Sequence, residues 1–261
     1  MTDATALPTL FLAHGSPMLA LEGGAWGEAV SALGRRLPGL QAILVCSAHW
    51  ETAGPFRLSS AEKPGVMHDF GGFPEALYRL DYPAPGSPAL AAEAAARLKA
   101  AGLDAVLDGE RPLDHGAWGP LRHLAPQADI PVVQLSLPRS RTPAQLFAAG
   151  RALAPLREQG VLLVGSGGIV HNLGRLDWSS GSAEPQPWAR AFDGWVRERL
   201  ATGDSRALMD WPSAPGAAAS VPTTEHLDPL FVARGAAEGP SEPIFEGWQL
   251  GSLSLTSYGF Q

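Results

Sequence analysis

The sequence contains a single cysteine, Cys46, so an intramolecular disulfide is impossible. Cys46 lies within the apolar run 41–47, and this position predicts an inert, buried thiol. A chain without a disulfide framework is typical of a reducing compartment. Residues 1–5 carry no basic region, and no long apolar stretch follows them, so we expect no signal peptide. The sequence therefore favours a cytoplasmic protein.

Long hydrophobic runs and excess positive charge are also absent. No apolar stretch approaches the roughly 20 residues that a membrane-spanning helix needs, so no membrane partner is expected. The formal net charge is −7, which argues against nucleic acid as the main partner. The residues are 45% hydrophobic and 17% charged, a composition typical of a globular protein. An anionic substrate would need a local positive centre, and a metal ion is one way to supply it.

Compact signature motifs are missing as well. The sequence has no H-x-x-x-H, C-x-x-C or H-E-x-x-H metal motif, no G-x-S-x-G elbow and no Walker P-loop. The glycine-rich turn 165–168 follows an apolar run, but it lacks the glycine spacing of a dinucleotide site. Any metal site must therefore be assembled by the fold from distant segments.

Short apolar runs alternate with helical patterns along the chain, which predicts an α/β fold. The apolar runs, read as buried strands, cover 10–13, 41–47, 131–137 and 161–164. The helical patterns cover 26–37, 87–101, 143–159 and 187–200. We expect one domain over residues 1–261, with three layers and a central, mostly parallel or mixed sheet flanked by helices.

Three long connections separate these elements. The segments 55–74 and 107–119 are expected to be functional loops, because long loops in a compact domain usually carry function. The segment 204–223 is rich in small residues and proline, and we interpret it as a surface excursion.

Seven histidines are present, and their positions matter more than their number. His14 and His49 end apolar runs, and His171 follows the glycine-rich turn. Ligands bind at the carboxyl ends of strands in open α/β sheets, so these three side chains are placed where they can converge. A single histidine at a strand end is ordinarily a hydrogen-bonded structural residue. His123, in a helical run, is expected to be structural, and the loop residue His68 is a candidate substrate contact or lid residue.

Several motifs resemble the class III extradiol ring-cleavage dioxygenases, and most closely the DODA type, the 4,5-DOPA dioxygenase family. The resemblance begins with FLAHGSPM at 11–18 and SAHW at 47–50. Further matching stretches follow in the family's order: HDFGGFP at 68–74, YPAPGSP at 82–88, DHGAWG at 114–119, VQLS at 133–136, GSG at 165–167, HNL at 171–173, TEH at 224–226 and GSLS at 251–254. The resemblance spans nearly the whole chain.

The resemblance implies roles for the matching residues. His14, His49 and His226 are the expected metal ligands, with Glu225 as the alternative to His226. His171 is the expected acid/base residue, and it is also a candidate fourth ligand in a zinc-bound resting form. His115 is expected to contact substrate and to stabilise the developing anion.

The implied reaction joins O2 and a small aromatic catechol. Fe(II) is the expected cofactor for turnover because it changes oxidation state and keeps coordination positions open. Zn(II) fits the same ligands in the resting or purified protein but supplies no redox chemistry. Trp50 and His68 are expected to contact substrate, with Phe70, Phe73 and Trp118 as candidate aromatic walls. We expect a monomer or a small homo-oligomer.

Two other functions remain open at this stage. A zinc hydrolase on the same scaffold would use metal-bound hydroxide and would need no O2. A non-catalytic binding protein of the Memo type would be expected to lack one or more of the site histidines, and all the histidines that the resemblance maps are present here.

Overall fold

A mixed sheet of eight strands lies at the centre of the molecule, which is described by a computed structural model over residues 6–177, 184–237 and 239–261. In chain order the strands are β1 (Thr9–Ala13), β2 (Ala42–Thr52), β3 (Phe56–Ser59), β4 (Ala105–Asp108), β5 (Val132–Pro138), β6 (Val161–Gly167), β7 (Ser241–Phe245), β8 (Trp248–Gln249), β9 (Leu253–Ser254) and β10 (Ser257–Phe260). The main sheet has the order β4-β3-β5-β2-β6-β1-β10-β7, and β8 pairs with β9 separately.

Helices cover the sheet and fill the connections. They are α1 (Leu19–Glu22), α2 (Gly24–Gly34), α3 (Glu75–Tyr78), α4 (Pro88–Ala100), α5 (His115–Leu124), α6 (Pro143–Leu153), α7 (Pro187–Ala201), α8 (Ser205–Met209), α9 (Ala217–Ser220) and α10 (Asp228–Gly235). Short 3-10 helices cover Ala154–Gln159, Leu173–Arg175 and Trp211–Ser213. In the described part of the chain, none of these helices is both long and apolar enough to cross a membrane.

The middle of the sheet is parallel and buried on both faces. Strands β5, β2, β6 and β1 pair in parallel, whereas β10 runs antiparallel to β1. Along β2, Leu44 and Cys46 point into one apolar core, and Ile43 and Val45 point into the other. This alternation follows from the two-residue period of a strand. Helices cover both faces, so the predicted three-layer α/β fold with a mixed sheet is confirmed.

The four predicted strands all lie in the middle of the sheet, but β2 is longer than expected. It continues through His49 to Thr52, and its register with β5 is irregular between Cys46 and Glu51. His49 is therefore inside a strand and not at its end. Cys46 is fully buried as expected, and burial raises the pKa of its thiol.

The long connections contain more regular structure than the sequence suggests. The segment 55–74 includes β3, and the segment 107–119 includes the end of β4 and the start of α5. The interpretation of 204–223 as a surface excursion is wrong: helices α8 and α9 pack on α7 and bury Leu208 and Ala217. Small residues at this point permit close helix contact and do not mark a loop. Residues 1–5, on which the signal-peptide prediction depends, lie outside the described residues.

Glycines allow α10 to lie close to its neighbours. A Cβ atom on Gly150 of α6 would overlap with the backbone of Val232, and one on Gly235 would overlap with the backbone of Phe147. On the sheet side, a Cβ on Gly165 would overlap with the backbone of Pro229. Helix α10 and the residues that precede it are therefore positioned by backbone contacts with α6 and β6.

An ion-pair network attaches the start of α10 to the end of β2. The Arg141 guanidinium donates to Asp228 Oδ2 at 2.5 Å and to Glu51 Oε1 at 2.7 Å. The side chains of Arg141 and Asp228 are almost completely buried. A buried pair of this kind fixes geometry more than it adds stability, because both charges lose their hydration.

The α6–α10 contact can be tested by comparing two glycine-to-alanine substitutions within helices. Gly150→Ala should lower the free energy of unfolding by about 1–3 kcal/mol, because the added methyl group meets backbone that cannot move away cheaply. Gly194→Ala in α7 meets open space and should raise it by about 0.5–1 kcal/mol through helix propensity. Urea denaturation of both metal-free variants measures the difference. Equal stability of the two variants would contradict the proposed contact.

Candidate metal centre

Three histidines from distant parts of the sequence converge at one end of the sheet. His14 follows β1, His49 lies in β2, and His226 comes two residues before α10. Since β1 and β2 both pair in parallel with β6, their carboxyl-terminal ends meet at the same edge. One ring nitrogen from each histidine lies within 4.8 Å of the others, and the two Nε2 atoms of His14 and His49 are 3.1 Å apart.

The Nδ1 atom of each of these rings faces an oxygen atom. His14 Nδ1 is 3.0 Å from Ser166 Oγ, which donates its only proton to the carbonyl oxygen of Gly116. Ser166 must therefore accept a hydrogen bond from His14, and the proton of His14 must lie on Nδ1. The Nε2 atom of His14 then carries the lone pair, and it faces His49 Nε2.

His226 has the same arrangement with a carboxylate. Its Nδ1 donates to Glu225 Oε1 at 3.0 Å, because a carboxylate can only accept. The Nε2 atom of His226 is buried and has no hydrogen-bond partner among the described residues. In the third ring, His49 Nδ1 lies 3.6 Å from Asp69 Oδ2. Partners of this kind orient the histidine ligands of metal ions in proteins.

Burial keeps the three rings neutral. Desolvation, reinforced by the neighbouring histidines, lowers the pKa of His14 and of His226 well below the usual value. It lowers the pKa of His49 to about 4. Neutral imidazole is the form that binds a metal ion, and three such rings suit a divalent transition metal. The close approach of the Nε2 atoms of His14 and His49, the orphaned Nε2 of His226 and the set of three imidazole donors all fit a metal ion, so this group could hold one.

His171 lies directly beside this group. Its ring stacks on that of His226 with 3.5 Å between centroids and 5° between planes. Its backbone N–H donates to the carbonyl oxygen of Ser220, and burial lowers the pKa of the ring to about 4. His171 is not one of the three residues whose ligand atoms lie within 4.8 Å of one another, so a fourth-ligand role stays a prediction.

His115 enters the site from the first turn of α5. The Asp114 carboxylate caps this helix by accepting from Ala117 N–H. Asp69 Oδ1 accepts two hydrogen bonds of 2.9 Å from His115, one from Nδ1 and one from the backbone N–H. Burial alone would raise the pKa of Asp69, but its interactions with His115 and His49 outweigh burial and lower it to about 2. Asp69 is therefore an anion that contacts two site histidines.

A second carboxylate, Asp114, ties the surrounding backbone together. Its oxygens accept from Ser47 Oγ at 2.6 Å, from Gln134 Nε2 and from Arg111 Nη2 at 3.0 Å. The same Arg111 nitrogen donates to the backbone carbonyl of His49 at 3.1 Å. This network holds the N-terminus of α5 against β2, so His115 and His49 are positioned together.

The five histidines line one cavity of about 950 Å³. They are His14, His49, His115, His171 and His226. Phe70 and Phe73 also line it, as the sequence suggested for a candidate aromatic wall. The rest of the lining comes mainly from the segments 15–18, 173–176 and 248–253.

The structure does not bring every predicted residue to this cavity. Trp50 is 5% exposed, and the Arg111 guanidinium lies over the Trp50 ring, 5.2 Å from the ring centroid. His68 donates from Nε2 to the carbonyl oxygen of Leu80 at 3.0 Å. Neither side chain lines the cavity, and substrate contact by Trp50 or His68 stays a prediction. His123 donates to Leu19 in the same way, as expected of a structural residue.

Sequence reasoning missed the residues that hold the histidines. The sequence pattern places Ser166 only within a glycine-rich turn and suggests Glu225 only as an alternative ligand. Asp69 follows His68 in the HDFGGFP stretch, and of these two neighbours it is Asp69 that lines the cavity and accepts from His115. An acidic residue beside a site motif is the signal that could have indicated Asp69.

Comparisons with known proteins agree with this geometry. Residues 8–261 match the family described as the catalytic LigB subunit of aromatic ring-opening dioxygenase. The chain is 45% identical to a protein named 4,5-DOPA dioxygenase extradiol from Escherichia coli (strain K12), with 98% of this chain and 95% of that protein covered. A protein of the same name from Beta vulgaris is 39% identical, with 97% and 96% covered.

A solved structure extends the likeness to three dimensions. The crystal structure titled as the uncharacterized protein JW3007 from Escherichia coli K12 has a TM-score of 0.84 and 38% sequence identity, and the match covers 98% of this chain and 100% of that one. The family that the sequence motifs predicted is confirmed. The chain belongs to the LigB family of aromatic ring-opening dioxygenases, and it is an extradiol ring-cleaving enzyme of that family.

Proposed function

We propose that the enzyme uses O2 to cleave the ring of a DOPA-like or related catechol, with Fe(II) held by His14, His49 and His226. The observation that carries this assignment is the convergence of three neutral imidazoles, each with its Nδ1 facing an oxygen atom. Fe(II), when bound, would supply redox chemistry and open positions for catechol and O2. Zn(II) would fit the same ligands in the resting protein without supplying redox chemistry.

His171 is the proposed acid/base residue. Its ring lines the cavity beside the proposed ligand His226. Its low pKa keeps the ring neutral, so a lone pair is available to accept a proton from a catechol hydroxyl. The same burial makes the protonated form a ready donor, which suits return of the proton later in the reaction. Stacking on His226 holds the ring in place for both transfers.

His115 is the proposed stabiliser of oxyanion character on the substrate. Its Nδ1 is occupied by Asp69, which leaves Nε2 as the nitrogen available for substrate. Nε2 can donate only when both ring nitrogens carry protons, and the Asp69 carboxylate supplies the counter-charge for that form. Asp69 thus supports the proposed role through its two hydrogen bonds with His115. We also propose a cytoplasmic location, supported by the single cysteine.

Reconstitution without oxygen tests the assigned reaction. Protein loaded anaerobically with Fe(II) should consume catechols only after O2 is added, and it should form a yellow semialdehyde-type product that absorbs visible light. Protein loaded with Zn(II) should consume none. Consumption of catechol no faster than with Fe(II) alone would contradict the proposal, and hydrolysis of an ester substrate by the Zn(II) form without O2 would favour the hydrolase alternative.

Two histidine variants separate metal binding from proton transfer. His171→Ala should lower kcat by about 10²–10⁴-fold, the usual loss when a general acid/base is removed, while most of the metal is retained. His226→Ala should lose metal and activity together, because it removes one of the three proposed ligands. Metal analysis paired with steady-state kinetics measures both quantities. A parallel loss of metal and activity in His171→Ala would reassign this residue as a ligand.

Removing one charge from each carboxylate partner gives a finer comparison. Asp69→Asn should lower kcat by about 10–100-fold with little change in metal content, because the orientation of His115 is weakened. Glu225→Gln should instead lower metal affinity by about 10–100-fold, because His226 is a proposed ligand. Kinetics, metal titration and thermal unfolding of both variants measure the split. If Asp69→Asn loses metal as readily as Glu225→Gln, Asp69 acts mainly through His49.

A further inference from the structure

The hairpin of β8 and β9 forms one side of the histidine cavity, to which it contributes Gln249 and Leu250. At its turn the Ser252 N–H donates to the carbonyl oxygen of Gln249 at 3.3 Å. The two residues between them, Leu250 and Gly251, have φ angles of 50° and 69°. Positive φ at both positions is the pattern of a type I′ turn, which favours asparagine, aspartate or glycine and is strained for leucine. Strain of this kind persists where the surrounding structure imposes it, and it is common at ligand sites.

Backbone contacts hold this hairpin against the segment that carries His171. The Ser254 N–H donates to the carbonyl oxygen of Val170 at 3.0 Å, and Leu253 forms a β-bridge with His171 itself. The carbonyl oxygens of the turn accept three further backbone hydrogen bonds. The hairpin therefore has a fixed position relative to the site, and its side chains are held at the cavity in a defined place.

Gln249 connects the same hairpin to the loop that follows His14. Its Oε1 accepts a hydrogen bond of 2.9 Å from the Ser16 N–H, and a Cβ atom on Gly15 would lie only 2.7 Å from this oxygen, so glycine leaves room for the amide. A backbone N–H can only donate, so the atom that faces it must be Oε1 and the amide nitrogen must point elsewhere. Gln249 Nε2 makes no hydrogen bond with the described residues, so its two N–H groups are available to a ligand in the cavity.

The lining of the cavity offers uncharged donors but no cationic side chain. Among the described residues that line it there is no lysine or arginine, and the segments 1–5, 178–183 and 238, which the structure does not describe, contain none in the sequence. Apart from the histidines, the described lining residues whose side chains carry an N–H or O–H group are Ser16, Trp248 and Gln249. The Ser16 N–H holds the Gln249 amide, so the hydroxyl and the amide are neighbours.

This neutral pair suits the carboxylate of a substrate substituent. A carboxylate that enters a cavity without a cationic side chain needs hydrogen bonds to replace its lost hydration, and such charge-assisted bonds are stronger than neutral ones. Ser16 lies two residues after the proposed ligand His14, a span of at most about 7 Å between their Cα atoms. The pair is thus close to the three-histidine group but not part of it, which is the position that recognition of a substituent requires.

We infer that Gln249, with Ser16 beside it, binds the carboxylate on the substituent of the catechol, with the amide Nε2 and the serine hydroxyl as donors. The inference rests on the proposed function for the position of the catechol oxygens at the histidines. It assigns a specificity-determining residue to the other end of the substrate. It agrees with the DOPA-like catechol of the proposed function, because the side chain of DOPA carries a carboxylate.

Binding measured without turnover tests the inference. Gln249→Glu keeps an oxygen for the Ser16 N–H but loses the donors, and Gln249→Met loses them without adding charge. In calorimetric titrations of the Zn(II)-loaded proteins without O2, both should raise the Kd for 3-(3,4-dihydroxyphenyl)propionate at least about tenfold more than the Kd for 4-ethylcatechol. A selective loss confined to Gln249→Glu would reflect charge repulsion and would overturn the inference. Equal changes for the two ligands, or none, are expected of a residue that only holds the hairpin, and they would overturn it as well.

Two control variants test the other donors near the cavity. Trp248→Phe keeps an aromatic ring beside Gln249 but removes the indole N–H. Arg175→Gln removes an exposed guanidinium that lies over the ring of Trp188, 5.7 Å from the centroid, and does not line the cavity. Neither substitution should change the ratio of the two Kd values. A selective loss of propionate binding in either variant, at normal thermal stability, would assign the carboxylate to that side chain and overturn the inference.

Turnover separates this inference from the proposed function. With Fe(II) and O2, Gln249→Met should raise the KM for the propionate at least about tenfold more than the KM for 4-ethylcatechol. Selective binding in the Zn(II) form without turnover of either catechol by the Fe(II) form would support the role of Gln249 and refute the proposed function. Turnover of both catechols with no selective effect of the Gln249 variants would support the proposed function and refute the inference.

Discussion

The site depends on one repeated interaction, the pairing of each histidine Nδ1 with an oxygen atom. Ser166, Glu225 and Asp69 each face one ring of the three-histidine group, and in two of the rings the pairing fixes the proton on Nδ1. The Nε2 atoms of His14 and His49 lie 3.1 Å apart, and the buried Nε2 of His226 has no hydrogen-bond partner among the described residues. Protonation of the rings would relieve the close approach of these nitrogen atoms, but burial opposes it by lowering the pKa of His14 and of His226. This arrangement of three histidine nitrogen atoms is unfavourable without a cation between them and favourable with one.

The rest of the fold keeps these pairs in place. The parallel order β2-β6-β1 puts Ser166 of β6 between the strands that position His49 and His14. Asp114 joins the start of α5 to β2, while Arg141 joins the start of α10 to the end of the same strand. His49 thus lies in β2 itself, and side-chain contacts attach the segments that carry His115 and His226 to the same strand. The central sheet serves as the common reference for residues that are far apart in the sequence.

The sequence predicted the parts of this structure that leave a local pattern. Continuous apolar runs indicated the four central strands, because only strands buried on both faces need them. No continuous apolar run marks β3 or β7, because each strand is short and partly polar. The placement of His14 was readable from its strand, whereas His226 follows no strand and was found only through the family motifs. The contacts of Asp69 with His115 and His49 depend on tertiary structure, so its place in the HDFGGFP stretch could indicate the residue but not its partners.

The glycines beneath α10 have a consequence for how this enzyme can vary. Main-chain atoms contact main-chain atoms where α10 meets β6 and α6. The position of His226 is therefore insensitive to the size of the surrounding apolar side chains. Leucines of the core can therefore be replaced by valine or phenylalanine during evolution while the position of His226 in the metal centre stays constant. Divergence in substrate range would then accumulate at the rim of the cavity, where side chains rather than main chain determine the shape.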